Sequence, residues 1–241
     1  VGPRRLGGVA GGGLHQRSTA VTGGSWSLVV ATPSGTPDLW SRYIEGAWES
    51  YTRHGVTAAL DLDDVATGAR TTLFYAVLDQ AGRMLGGVRA QGPYGSVEQS
   101  HVLTEWAHSD GLAAVTAHLH RRLPHGMVEM KTAWVDAGAT GRTVSTVLAR
   151  TALPTLELTG ARYLFASAAD HVLRLWGCSG GQIATDIPPA AYPSENYRTA
   201  LMWWDRTTLA EVADPVIWAD MVTESAALCG YDRRAHAAAA A

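Results

Sequence analysis

The segment VEMKTAWVD, residues 128–136, sets Glu129 two residues before Lys131, and Lys131 is the only lysine in the chain. The run is apolar and reads as a strand, whose side chains alternate between faces. Glu129, Lys131, Ala133 and Val135 then point one way and Val128, Met130, Thr132 and Trp134 the other, with Glu129 and Lys131 roughly 6–7 Å apart. A carboxylate in such a place can accept a proton, and the nearby ammonium opposes the rise in carboxyl pKa that burial would cause. The ammonium can equally bind a substrate carboxylate as a point charge. On a solvated strand face the pair would be worth little. The use of Arg almost throughout, with one asparagine (Asn196), suggests a GC-rich coding bias under which a solitary lysine can be chance.

Other residues have types and spacings suited to chemistry. Arg89 follows Gly86 and Gly87, whose missing side chains admit a close backbone or ligand. Its guanidinium could fork a carboxylate, or it could be an ordinary edge-strand arginine. Asp61, Asp63 and Asp64 could hold an amine or pair with Arg89, or simply form a polar turn. They lack the ligand spacing of a calcium loop. In DAGATGR (136–142), Gly138, Thr140, Gly141 and Arg142 precede a helix, where free N–H groups favour phosphate. A cation at that end opposes the helix dipole unless an anion sits beside it. His101, Glu105 and His108 fall on one helical face near His118, His120 and His125, but no HExxH or cysteine ligand accompanies them, and no metal is expected. Cys178 lacks an obvious positioned histidine, His171 being its nearest candidate, and no G-x-S-x-G turn is present.

These residues must be positioned by a mixed set of elements. Residues 1–24 are Gly-rich and read as a flexible lead-in. A strand over 25–31 precedes a helix capped at Asp38 and running to about Arg53, with Leu39, Tyr43 and Ala47 on one stripe. A hairpin spans 71–92 around the turn Gln80-Ala81-Gly82. Residues 98–123 are helical in two pieces broken near Ser109-Asp110-Gly111. The quoted strand follows, then a helix over 139–158 in which Pro154 can force a kink or an early end. A strand over 161–168, a helix from Asp170 to Trp176, strands over GQIATDI (181–187) and 197–205, and a helix over 207–229 complete the chain, with an Ala-rich tail at 237–241. The order β-α-β-β-(α)-β-α-β-α-β-β-α implies an α+β fold with a mixed central sheet.

The 241 residues carry a formal net charge of −3 and no basic stripe, so nucleic acid is not an expected partner. No apolar run approaches a membrane span, and no hydrophobic leader precedes the first strand. Two distant cysteines argue against a disulfide framework, so the expectation is a reduced, cytoplasmic protein. Nine tryptophans against two phenylalanines supply large apolar surface for a core or for the walls of a pocket.

The order of elements resembles the GNAT acyltransferase fold. GGVRAQGPYG (86–95) is similar to the G-x-x-R-L-x-P segment of the autoinducer-synthase and long-chain N-acyl amino acid synthase branch. VEMKTAWVD resembles that branch's E-x-S-R-F-x-V-D strand, matching at Glu129, Val135 and Asp136, with Lys131 and Thr132 in place of its Ser and Arg. RLWGCSGGQ (174–182) resembles a GNAT helix end, with Trp176 in the place of a tyrosine. DLDD (61–64) stands where the branch carries an acidic pair. The resemblance covers residues 25–206, making this the acyltransferase domain and 207–241 a C-terminal helix and tail. It implies direct transfer of an acyl group from acyl-coenzyme A or an acyl carrier protein to the amine of a small molecule or amino acid, with no permanently bound cofactor. Glu129 would be the base, helped by Lys131 and Arg89. Val135, Gly138, Thr140, Gly141, Arg142 and Trp176 would hold the donor, and Asp61, Asp63, Asp64 and Trp134 the acceptor. Acetyl transfer from acetyl-coenzyme A and a non-catalytic binding module on the same fold are the alternatives.

Overall fold

The structure, a computed structural model, describes residues 19–138 and 141–230, without the side chains of 19–23, 62 and 63. Strands β1 (Thr19–Gly23) and β2 (Trp26–Ala31) form a hairpin. Residues 19–23 are thus sheet rather than lead-in; the remainder of that expected lead-in and the Ala-rich tail lie outside the described residues. Helix α1 (Pro37–Arg53) starts on Pro37, whose missing N–H is no loss in a first turn, so its N-cap is Thr36 and not Asp38. Its buried stripe is Trp40, Tyr43, Ala47 and Ser50.

The acidic turn is in part a helix, α2 (Leu62–Thr67), capped by Asp61 accepting from the Asp64 N–H. Strands β3 (Thr71–Asp79) and β4 (Met84–Gln91) make the expected hairpin. Helices α3 (Val102–Glu105) and α4 (Leu112–Arg122) lead to β5 (Met127–Val135).

The expected helix over 139–158 is two: α5 (Gly141–Ala149) and α6 (Ala152–Thr159). Pro154 cannot donate to the Arg150 carbonyl and its ring would clash there, so the break falls at Arg150-Thr151. Strand β6 (Tyr163–Ala169) and helix α7 (Asp170–Cys178) follow. Strand β7 keeps only Gln182–Ile183, and β8 is Thr199–Asp205. The C-terminal helix is also two pieces, α8 (Leu209–Val212) and α9 (Pro215–Leu228), because Asp214 caps a fresh start at Pro215. Helix α9 packs on α6 and β1, and Glu224 takes a two-pronged bond from Arg150 at 2.9 and 2.5 Å. The C-terminal segment therefore closes the same sheet. No helix among the described residues is long and apolar enough to cross a membrane.

Among the described residues, eight strands join one sheet in the order β1-β2-β3-β4-β5-β6-β8-β7, with α1 packed on one face and α5 and α6 on the other. Two irregularities shape its middle. The β5–β6 pair is parallel but ends at Glu129↔Phe165, so the strands part beyond that point. On the other edge of β5, Arg89 faces Lys131 while Gly87 faces Trp134, so Val88 alone stands opposite Thr132 and Ala133. This is a β-bulge, with Thr132 at φ +52°. A β-branched residue there is strained by about 1–3 kcal/mol. The Tyr43 hydroxyl holds the Thr132 carbonyl at 2.6 Å, and Arg89 Nε holds its hydroxyl at 3.2 Å.

The bulge overturns the simple alternation expected of 128–135. Val128 and Met130 share a core with Ala133 and Val135, whereas Trp134 packs beside Tyr43 of α1. Gly86 and Gly87 allow both helices to close on this point. A Cβ on Gly86 would lie 2.7 Å from Val144 of α5, and one on Gly87 would lie 2.7 Å from both the Tyr43 ring and the Tyr75 carbonyl oxygen. Backbone cannot give way as a side-chain tip can. Gly87→Ala should therefore cost about 1–3 kcal/mol, read as a lower melting temperature; an unchanged melt would show that α1 is not closely seated on the bulge.

Candidate active site

Where β5 leaves β6, a cavity of about 630 Å3 opens between them. Its apolar wall includes Met130, Leu148, Val172, Leu175 and Trp176. Its polar lining includes Tyr51, Glu105, Lys131, Ser167 and Tyr192. A recess of similar size, about 660 Å3, lies between the β2–α1 turn and α2, but no charged side chain lines it.

Lys131 lies at the centre of a buried charged cluster. Its Nζ is 2.9 Å from His101 Nδ1, 3.1 Å from Glu105 Oε1 and 3.5 Å from Glu129 Oε1. The side chains of Lys131, Glu105 and Glu129 are 8%, 2% and 0% exposed. Burial by itself disfavours the charged forms of Glu105 and Lys131. For Glu105 it pushes the carboxyl up, but the Lys131 ammonium and the His101 contact overcome it and bring the pKa down to about 2. For Lys131 burial pushes the other way, and Glu105 and Glu129 more than offset it, so its pKa is raised.

His101 Nδ1 also lies 2.9 Å from Glu105 Oε1. It either accepts from Lys131 or, when protonated, donates to Glu105.

The two carboxylates differ in their remaining contacts. Glu129 Oε2 accepts from the Tyr94 hydroxyl at 2.7 Å, the Ser100 hydroxyl at 3.0 Å and the His101 backbone N–H at 3.1 Å. It ties the 94–101 loop to β5 and is not among the residues lining the cavity. Glu105 Oε2 is buried and makes no hydrogen bond, although Ser167 is near enough to favour the charge.

The other sequence candidates separate into three groups. Arg89, 1% exposed, is bound at 2.6 Å to Asp64, which also accepts from Gln91 at 2.6 Å and Arg70 at 2.9 Å. Burial pushes the Asp64 carboxyl up, and Arg89 and Arg70 hold it below the ordinary range. Asp61 caps α2 and pairs with Arg70 at 2.8 Å. These residues brace the sheet behind the bulge and are not among those that line the cavity, where the acceptor was expected to meet Asp61 and Asp64; the Asp63 side chain is outside the described residues. Trp134, Val135 and Trp176 do line the cavity, Trp134 with its indole N–H unpaired and Trp176 against Trp204. Gly138 and Arg142 are exposed and Gly141 opens α5, while Thr140 lies outside the described residues.

Sequence reading had weighed Glu105 and His101 only as part of a histidine-rich face. Their spacing was visible, but the pairing with a lysine 26 residues away was not.

A mixed sheet whose parallel central strands part over a cavity, with one strand bulged at the opening, is the GNAT acyltransferase fold. The chain shares it with FeeM, an N-acyl amino acid synthase from uncultured soil microbes, at TM-score 0.61 and 11% identity over 80% of this chain and 96% of that one. The AHL synthase LasI gives 0.56 at 11% identity, over 79% of this chain and 98% of that one. MesI, a CoA-dependent acyl-homoserine lactone synthase, gives 0.51 at 14% identity over 80% and 93%. No family model matches the sequence. The chain is 43% identical over 199 residues to the uncharacterized proteins Rv1356c of Mycobacterium tuberculosis and Mb1391c of Mycobacterium bovis, covering 82% of this chain and 76% of each relative. It belongs to the same family as these mycobacterial proteins.

Two outcomes follow from the buried cluster. Lys131→Met should destabilise by about 3–5 kcal/mol, since it leaves two carboxylates buried without their cation. Adding Glu105→Gln should recover part of the loss in a thermal melt. Glu105 titrates near 2 when folded against an ordinary 4.5. Its contribution is then complete above the ordinary value and lost as pH falls from there towards 2. The melting temperature should fall with acid across that window, and less steeply in Glu105→Gln.

Proposed function

We propose that the chain is an acyl-thioester-dependent N-acyltransferase that moves an acyl group directly to an amine. The observation that carries this reading is the open β5 edge beyond Glu129, bulged at Thr132, facing a cavity lined by both apolar and charged side chains. Backbone N–H groups on such an edge can polarise a thioester carbonyl. Coenzyme A or a carrier-protein phosphopantetheine is the donor, with its phosphates at 136–142 before α5, where Gly138, Thr140, Gly141 and Arg142 stand. Trp176 and Val135 line its path. The apolar wall of Met130, Leu148, Val172 and Leu175 favours an acyl chain longer than acetyl.

Glu105, and not Glu129, is the carboxylate placed to meet the amine, because Glu129 Oε2 is already occupied by three donors. A carboxylate held as low as Glu105 is a poor base. His101, in contact with both Glu105 and Lys131, can take the proton instead. One proton leaves the ammonium through Glu105 and His101 before attack. The amine lone pair then forms the C–N bond as the C–S bond breaks, and the second proton goes to the departing thiolate.

A long-chain acyl-coenzyme A or acyl carrier protein should raise the melting temperature, a ligand at a hundred times its Kd adding about 2.7 kcal/mol. No shift with either donor would end this reading. His101→Gln should lower kcat by about 10²-fold or more while leaving the donor's thermal shift intact. If full turnover persists, His101 is not the proton acceptor.

A further inference from the structure

The charged wall of the cavity also constrains the acceptor, an argument that rests on the acyl-transfer reading. With His101 neutral, the cluster sets one ammonium, Lys131, against two carboxylates, Glu105 and Glu129, leaving one unit of negative charge buried beside the cavity. That charge has a defined outlet. Glu105 is 2% exposed, lines the cavity, and keeps Oε2 without a hydrogen-bond partner. A buried carboxylate oxygen in that state is costly until a donor reaches it.

To an anion the cavity offers neutral donors, the unpaired Trp134 indole N–H among them, but little cationic charge. No arginine is among the described residues that line it, and Lys131, its lysine, is already shared by both carboxylates. His54 and His171 are exposed and lie at helix ends, His54 as the C-cap of α1 and His171 in the first turn of α7. Arg89, the guanidinium nearest in the sheet, is closed off by Asp64. Tyr51 and Tyr192 stand within electrostatic reach of Glu105, and Trp134 lines the same cavity. Aromatic faces suit an alkylammonium or an aromatic amine.

We infer that the acceptor is a primary alkyl- or arylalkylamine that carries no carboxylate, its ammonium held by Glu105 Oε2. An α-amino acid would place its carboxylate within reach of Glu105, where like charge repels it and no free cation compensates.

The test compares acceptors that differ only in the carboxylate: tryptamine with tryptophan, and 1,5-diaminopentane with lysine. Turnover with a long-chain acyl-coenzyme A is read by thiol release and by mass spectrometry of the amide. Each amine should exceed its amino acid in kcat/KM by about 10- to 100-fold, the range of a charged hydrogen bond gained or lost. Glu105→Gln should raise the amine's KM by a similar factor and erase the preference, and Glu105→Asp should retain part of it. A second reading needs no turnover: tryptamine alone should raise the melting temperature of the wild type and not that of Glu105→Gln.

If amino acids react as well as amines, or if Glu105→Gln keeps the preference, the inference is overturned and acyl transfer stands. If tryptamine binds through Glu105 yet nothing is acylated with any donor, acyl transfer falls and the ammonium site stands. If no amine binds and none reacts, both fall.

Discussion

The parting of β5 from β6 is the constraint on which the rest of the molecule depends. Two parallel strands in mid-sheet ordinarily stay paired, because an exposed strand edge leaves N–H and C=O groups unbonded. Here the pairing stops after three residues, and the bulge at Thr132 turns β5 away on its other side. The strain of that residue is offset by bonds from two directions, Tyr43 on α1 and Arg89 on β4. Arg89 is in turn fixed by Asp64, and Asp64 by Gln91 and Arg70. The charged side chains of the acidic turn thus serve geometry. They hold the bulge on one edge of β5, while pairing on its other edge ends at Glu129.

The charged cluster obeys a different balance. Removing three ionised groups from water is expensive, several kcal/mol each, and mutual attraction compensates only with good geometry and further hydrogen bonds. Glu129 meets both conditions through Tyr94, Ser100 and the His101 N–H. Glu105 meets them at Oε1, through Lys131 and His101, but leaves Oε2 without a hydrogen bond. A half-satisfied carboxylate is unfavourable as a structural brace, so the asymmetry between the two glutamates separates the member that holds the loop from the member that faces the cavity.

Much of this was legible in the sequence, and the misses have physical causes. The 71–92 hairpin and the 127–135 strand are local patterns of apolar residues bounded by turns, and they form as expected. The pairing of Arg89 with an aspartate of the acidic turn was among the readings offered, and the structure selects Asp64. The face alternation of β5 failed after residue 131 because a bulge depends on the register with β4, which no single strand encodes. The helix over 139–158 failed at Arg150-Thr151, although Pro154 had signalled the break. In the sequence Glu105 stands out only as part of a histidine-rich helical face, because its significance comes from Lys131, on a different element, and a helix face read alone shows only its own spacing.

The solitary lysine has a physical account in this setting. An ammonium carries three N–H donors on a compact head, whereas a guanidinium presents a wide planar fork suited to one carboxylate approached edge-on. Around Lys131 Nζ stand three acceptors on three separate groups, His101 Nδ1, Glu105 Oε1 and Glu129 Oε1. They converge from residues 101 and 105 and from β5 itself, on three different side chains. Arg89 shows the contrast within the same sheet, where a guanidinium spans Asp64, Thr71 and Thr132 laid out along its length. In a chain that otherwise uses arginine for its strong bases, position 131 is the place where three converging acceptors require a point charge, and composition bias alone does not account for a lysine there.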